Sequence, residues 1–403
     1  MIQEFFAIIF QYLVPELLYY LSYWSPIWVP VVVAYAAWKI WIRYTRAKFL
    51  SGLENILLEI KLPRETIKSP LAMELFLNSL HQTGGEANWY DTYIKGKARA
   101  VFSLEIVSIE GKVHFYIYTR KVLRSWVESN LYSQFPNVGI VEVPDYTASF
   151  KYQKDKISLW GCDFKPIESD VYPIKTYIDY GLGDDPKEEY KVDPLTPTIE
   201  FLGSIGKGEQ LWIQIVIRAS KKDHVKKWKE DAKKEIEKIR QESVIDRGDS
   251  DYPGFPSPTK GQSEIISAIE RNVAKNAFQV GIRGIYLANS ENFKGITIPG
   301  LLSSWKHYNS NNLNGFKPSR GMIKFGDYPW EDYKEIRKNR ERRNIYESYR
   351  RRCFFHPPFV VPPFILNTEA LATIYHFPGS VAGTPTLDRI PSKRAEAPFN
   401  LPV

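Results

Sequence analysis

The sequence predicts an α+β protein: an N-terminal transmembrane helix or hairpin, then a ferredoxin-like β-α-β-β-α-β domain, then further α+β layers. Three observations carry this prediction. An aromatic-rich apolar opening ends in a one-sided run of cations. Segments of period 2 and period 3.6 alternate after it. Hydrophobic residues at 44% and charged residues at 25% match a globular chain rather than a disordered one. With 403 residues there is length for two or three cores. The expected divisions are 1–48 (membrane anchor), 49–150 (ferredoxin-like), 151–325 (second α+β domain) and 326–403 (basic helix, short helix and Pro-rich tail).

Two apolar stretches, Phe5–Leu21 and Ile27–Ile42, open the chain. At 1.5 Å per residue each reaches roughly 25 Å, close to the hydrocarbon thickness of a bilayer. The second is the better spanning helix, with Trp28, Trp38 and Trp41 where interfacial belts form. Lys39, Arg43, Arg46 and Lys48 lie toward one end only, so the positive-inside rule places everything after residue 48 in the cytosol, at the inner membrane. Pro15 and Glu16 interrupt the first stretch. It reads as an interfacial or re-entrant segment, or as one arm of a hairpin turning at Ser25-Pro26. A cleaved signal peptide fits poorly, because Met-Ile-Gln-Glu carries no cation.

The expected elements then follow in order. Asn55–Lys61 is a strand ending near Pro63, and Ser69-Pro70 starts a helix running to about Gln82. Ala100–Ser108 and Lys112–Thr119 form a hairpin around Glu110-Gly111. Val122–Gln134 is helical, and Val138–Val143 is a short buried strand. In the second domain, Ile157–Phe164 and Tyr172–Tyr180 read as paired strands and Glu209–Ala219 as an alternating strand. Val225, Trp228, Ala232, Ile236 and Ile239 share one helix face; Ile266, Ile269, Val273 and Ala277 share another. Residues 244–262 form a polar loop, and Gln279–Ala288 a strand. No short-period repeat occurs, although the two halves could be relatives.

The chemistry-bearing motifs are few. Gly203-Ser-Ile-Gly-Lys-Gly208 lacks the Gly-Lys-Ser/Thr of a phosphate loop and precedes a strand instead of following one, so it reads as a turn. There is no GxSxG elbow and no HExxH, and Asp184-Asp185 sits in a stretch of turn composition. His81, His114, His224, His307, His356 and His376 show no metal-ligand spacing, and Cys162 and Cys353 form no CxxC pair. No enzyme activity, cofactor or metal is expected. Lys221–Arg240 interleaves lysines with acids (Asp223 with Lys227, Glu230 with Lys234), as a solvated helix does. Residues 334–352 set nine Lys/Arg against three Glu, with Tyr346 and Tyr349 among them. A solvated face is the leading reading there; phosphate contact, or contact with anionic lipid, through Arg337, Lys338, Arg340, Arg342, Arg343, Arg350, Arg351 and Arg352 is the functional one.

The run Phe364–Pro378, followed by Thr384–Pro398 and Asn400-Leu-Pro402, resembles the segment just upstream of the motor domain in coupling-protein-like ATPases of bacterial type IV secretion and conjugation. Gly206–Ile215 resembles a "GEQ" strand of the same region, and Leu58–Glu65 with Lys68–Glu74 resembles its opening. The resemblance implies a membrane-proximal, non-catalytic region. Because the fused relatives carry their ATPase after the Asn-Leu-Pro segment, the motor is expected on another polypeptide. The function expected is thus a membrane-anchored platform that holds a secretion ATPase or other secretion-system subunits; the alternative is a nucleic-acid-binding accessory protein. Homo-oligomerisation is compatible with either. Asn367 is the expected N-cap of a helix packed through Leu371, Ile374 and Tyr375. Pro385, Arg389, Pro391, Lys393, Arg394 and Pro398 belong to an extended tail with few apolar side chains, a candidate docking strand for that partner.

Overall fold

The computed structural model describes residues 14–63, 69–86, 88–150, 152–153, 156–183, 192–243, 257–324, 330, 332–378 and 389–390. They divide into two compact units, one made of the N-terminal helices with residues 85–98, the other of everything else.

In the first unit, helices α1 (Val14–Tyr23) and α2 (Ser25–Ser51) are separated by the single residue Trp24. The chain does not reverse at Ser25-Pro26, as a hairpin would require. Trp24 N–H donates to Tyr20 O and Trp28 N–H to Trp24 O, so helical bonding passes through the junction. Proline is tolerated at 26 because the first helical turn leaves its N–H groups without intrahelical partners. α2 also runs past the expected apolar end, carrying Arg43, Arg46 and Lys48 on the same rod. It is long and apolar enough to cross a membrane, and none of its apolar window is buried.

The second unit is α+β, built on one mostly antiparallel sheet. The first half runs β1 (Asn55–Pro63), α3 (Pro70–Ser79), β2 (Phe102–Ile109), β3 (Lys112–Arg120), α5 (Arg124–Gln134) and β4 (Gly139–Val143), the short α4 (Trp89–Tyr93) belonging to the first unit. β4, β1, β3 and β2 lie side by side in that order, each antiparallel to its neighbour. The β2–β3 turn puts Glu110 at φ 53° and Gly111 at φ 86°, the two positive values a type I′ hairpin demands.

The second half runs β5 (Ile157–Pro166), α7 (Thr196–Gly203), β6 (Glu209–Ala219), α8 (Lys222–Glu242), α9 (Lys260–Ala274), β7 (Ala277–Asn289), α10 (Thr297–Ser303) and β8 (Phe316–Gly321). Its strands lie in the order β8, β5, β7, β6, which repeats the arrangement of the first half. β2 pairs with β6 over Phe102–Ile109 and fuses the halves into one sheet with no break near residue 150. The short α6 (Tyr146–Ser149), α11 (Ile336–Arg350), β9 (Phe364–Asn367, beside β7), α12 (Thr368–Ile374) and β10 (Arg389–Ile390, parallel to β1) complete the described α-helices and strands.

Strand alternation sorts side chains to two faces. Leu58, Ile106, Phe115, Ile215 and Val280 meet Phe76 of α3, Leu131 of α5, Leu202 of α7 and Leu371 of α12. Leu57, Val107, Trp212 and Leu287 meet Ile345, Tyr346 and Tyr349 of α11. α8 and α9 pair through Trp228, Ala232, Ile236, Ile266 and Ile269.

Three expectations need correction. Tyr172–Tyr180 is a chain of turns, because side chains take its backbone groups: Asp179 accepts from Thr176 N (2.7 Å), and Asn314 Nδ2 donates to Ser169 O and Tyr172 O. β5 pairs with β7 and β8 instead. β4 lies at a sheet edge with Val141 exposed, rather than buried. Ala277 starts β7 and does not extend α9.

Candidate functional site

The cationic segment folds as α11, and its sequence contains both a core stripe and a solvent stripe. Ile345, Tyr346 and Tyr349 turn to the sheet, while Arg337, Arg340, Arg343, Arg350 and Arg351 are exposed. Arg350 and Arg351 share Glu347 at 3.0 and 3.1 Å, and Arg342 pairs with Glu335 at 3.0 Å. The N–H groups of Arg337 and Lys338 donate to Asp332, which takes the place of an N-cap. Arg340 and Arg343 have no ion-pair partner among the described residues.

Arg352 departs from the expectation altogether. It is buried against the sheet, its guanidinium forked between Glu105 (3.0 and 3.2 Å) and Asp145. It also stacks over Tyr118 with 4.3 Å to the ring centroid. Burial pulls its pKa down, but the Glu105 and Asp145 carboxylates outweigh this and hold it well above the ordinary arginine value. It cannot contact a phosphate or a lipid headgroup.

Arg352 caps a row of polar residues placed opposite one another on five neighbouring strands: Tyr116, Glu105, Gln214, Arg283 and Asp163. Glu105 accepts from Ser103, Tyr146, Gln214 and Arg352. Arg283 donates to Asp163 at 2.8 Å. Burial, and then the Glu105 charge, push the Tyr146 and Tyr349 hydroxyls well above the usual tyrosine range. Glu105 is fully buried and its oxygens are shared among these donors, so the row fixes α11 to the sheet. It ends at a small cavity of about 130 Å³, lined by Asp163, Arg283, Arg320 and Glu341.

A second basic feature lies on the lysine-rich helix whose sequence reads as a solvated face. Lys222, Lys226, Lys229 and Lys233 of α8 line a groove of about 670 Å³ that also includes His81 and Ser220. The signal was present as 3- and 4-residue spacing, but interleaved acids masked it. The ion pairs formed are Lys226–Glu230 and Lys234–Asp231, different from those expected.

The glycine-rich turn 203–208 is filled by its own chain. Glu209 accepts from Gly206 N (2.7 Å) and Lys294, and Glu110 accepts from Gly208 N, so the amides a phosphate would need are engaged. His114 pairs with Glu59 and His376 with Asp193; among the described residues no His/Cys/Asp/Glu group could hold a metal. Cys162 is buried and Cys353 partly so.

At the N-terminal end, Trp28, Trp38 and Trp41 are exposed on α2, as are Arg43 and Lys48, with Arg46 half-buried. Of the tail, Arg389 has its backbone paired with Leu62 of β1. Pro385, Pro391, Lys393, Arg394, Pro398, the acidic pair 184–185 and residues 5–13 lie outside the described residues.

No curated protein matches the chain. A family model described as "Domain of unknown function (DUF8128)" matches residues 48–389, from the basic end of α2 to β10. With that span covering most of its length, the chain belongs to the DUF8128 family.

Proposed function

We propose that this chain is a non-catalytic platform anchored in a bacterial cytoplasmic membrane, holding a separately encoded ATPase at the cytosolic face in a type IV secretion- or conjugation-like system. The observation that carries the anchor is α2, 27 residues long with its apolar window wholly unburied. The likeness of residues 58–74, 206–215 and 364–402 to the motor-proximal region of coupling-protein-like ATPases supports the partner. We also read each half of the sheet as a ferredoxin-like unit, on the strength of the repeated antiparallel strand order.

The test is recovery of the detergent-solubilised full chain with its associated proteins. Co-purification of an ATPase is the expected outcome; a chain recovered alone, or one that itself turns over ATP, contradicts the reading. Topology is tested by cysteine labelling at an introduced site just after residue 49, which should require permeabilised cells. Labelling of intact cells would place the sheet unit outside.

A second reading, nucleic-acid binding, is favoured by the exposed arginine stripe of α11, where Arg340 and Arg343 lack ion-pair partners among the described residues. Replacing both with glutamine should then flatten the salt dependence of DNA binding by about one logarithmic unit per lost phosphate contact.

A further inference from the structure

The short helix α4 lies between strands in sequence, yet it packs on the membrane-anchor helix. Residues 85–98 belong to the same compact unit as α1 and α2. Tyr93 packs on Trp38 with ring centroids 5.7 Å apart and planes tilted by 32°, and its carbonyl accepts the Trp41 indole N–H at 3.1 Å. Gly96, at φ +63°, brings its backbone so close to Thr45 that a Cβ would lie 2.4 Å from the Thr45 carbonyl. The segment is therefore tied to α2 over the stretch where apolar residues give way to cations.

The outer face of α4 is unusual for a surface helix. Trp89 is 62% exposed and Tyr90 55%. Its one acid, Asp91, is held by Lys97 at 3.1 Å and Lys95 at 3.6 Å. Aromatic rings with a polar edge, on a face whose acid is neutralised by two lysines, match the headgroup layer of a bilayer. Such rings bury an apolar body there and keep one end hydrated. Trp38 and Trp41 of α2, also exposed, extend the same belt.

We infer that residues 88–97 form an interfacial clamp, with Trp89 and Tyr90 inserted into the lipid headgroup layer beside the cytosolic end of α2. The inference rests on α2 spanning the membrane, and the test separates the two. The full chain carrying Cys353→Ser (Cys162 is buried) is reconstituted in vesicles of phosphatidylcholine with a minority of phosphatidylglycerol. Nitroxide labels are placed singly at Trp89→Cys, at Ala36→Cys in the apolar part of α2, and at Lys229→Cys on α8. Relaxation by oxygen relative to a water-soluble nickel chelate then gives depth.

Expected is a label at 36 in hydrocarbon, one at 229 in water and one at 89 between them. Adding Gly96→Val should return the label at 89 to the aqueous value without moving that at 36. If the label at 89 matches that at 229 while 36 remains deep, the clamp is wrong and the spanning helix stands. If 36 is aqueous, the spanning helix itself fails and the clamp with it. Spin–spin broadening at 89 that disappears on dilution with unlabelled chain would mean that a second copy, not lipid, covers the face.

Discussion

Arg352 and Glu105 show how one residue can invert a reading of charge. In the run Arg350-Arg351-Arg352 the three look equivalent, but the last has φ 50° and turns inward at the end of α11. Replacing Arg352 with alanine leaves Glu105 buried without its cation, and we expect a loss of about 3–5 kcal/mol in chemical denaturation. Arg343→Ala, on the exposed stripe, should stay within about 0.5 kcal/mol. Equal effects would show that the buried fork is not holding α11. A second residue-scale test concerns pH. Burial pushes Asp170 up to about 6, against the pull of the Ile365 N–H that its carboxylate accepts at 2.9 Å. A carboxyl that keeps its proton longer in the folded state stabilises most below its unfolded pKa, and that contribution fades as pH rises to about 6. Stability should thus fall by about 2 kcal/mol between pH 4 and 6.5 from this group, allowing for its part exposure. Asp170→Asn should remove that slope in urea titrations at several pH values; an unchanged slope would exclude Asp170 as its source.

At the scale of elements, local signals fixed helix starts well. Ser69 caps α3, and Asn367 caps α12 by accepting from Ala370 N at 2.7 Å. Asn367 is buried and its amide also donates to Asn272 O, so it joins α12 to α9. Asn367→Ala should cost about 2 kcal/mol, and Asn367→Ser, which keeps the acceptor, clearly less. Equal losses would assign the effect to the Asn272 bond. Both strands of the 102–120 hairpin were legible, because alternation and the Glu110-Gly111 turn agree. The Tyr172–Tyr180 segment was not, since its strand-like composition is overruled by Asn314, some 140 residues later.

At the scale of the molecule, the pairing of β2 with β6 makes one sheet from two similarly ordered halves. Among the described residues, the tail adds the two residues of β10 to it, as a parallel strand beside Leu62 and Pro63. If residues 379–403 are a docking segment, deleting them should leave folding and membrane insertion intact while abolishing recovery of the ATPase. Full recovery from the truncated chain would put the docking surface elsewhere. A large drop in thermal stability would instead make β10 a structural part of the sheet.

Periodicity, caps and turn residues determined where most strands and helices lie, the apolar helix with its one-sided cations, and the inner face of α8. These are properties of residues a few positions apart, whose energetics the chain carries locally. Only the tertiary structure decided that the halves share a sheet, that Arg352 is interior, that four lysines of α8 line a groove and that residues 88–97 join the unit of α1 and α2. Each depends on groups distant in sequence (Arg352 and Glu105 are 247 residues apart), and no local pattern encodes which distant carboxylate or strand edge a side chain will meet.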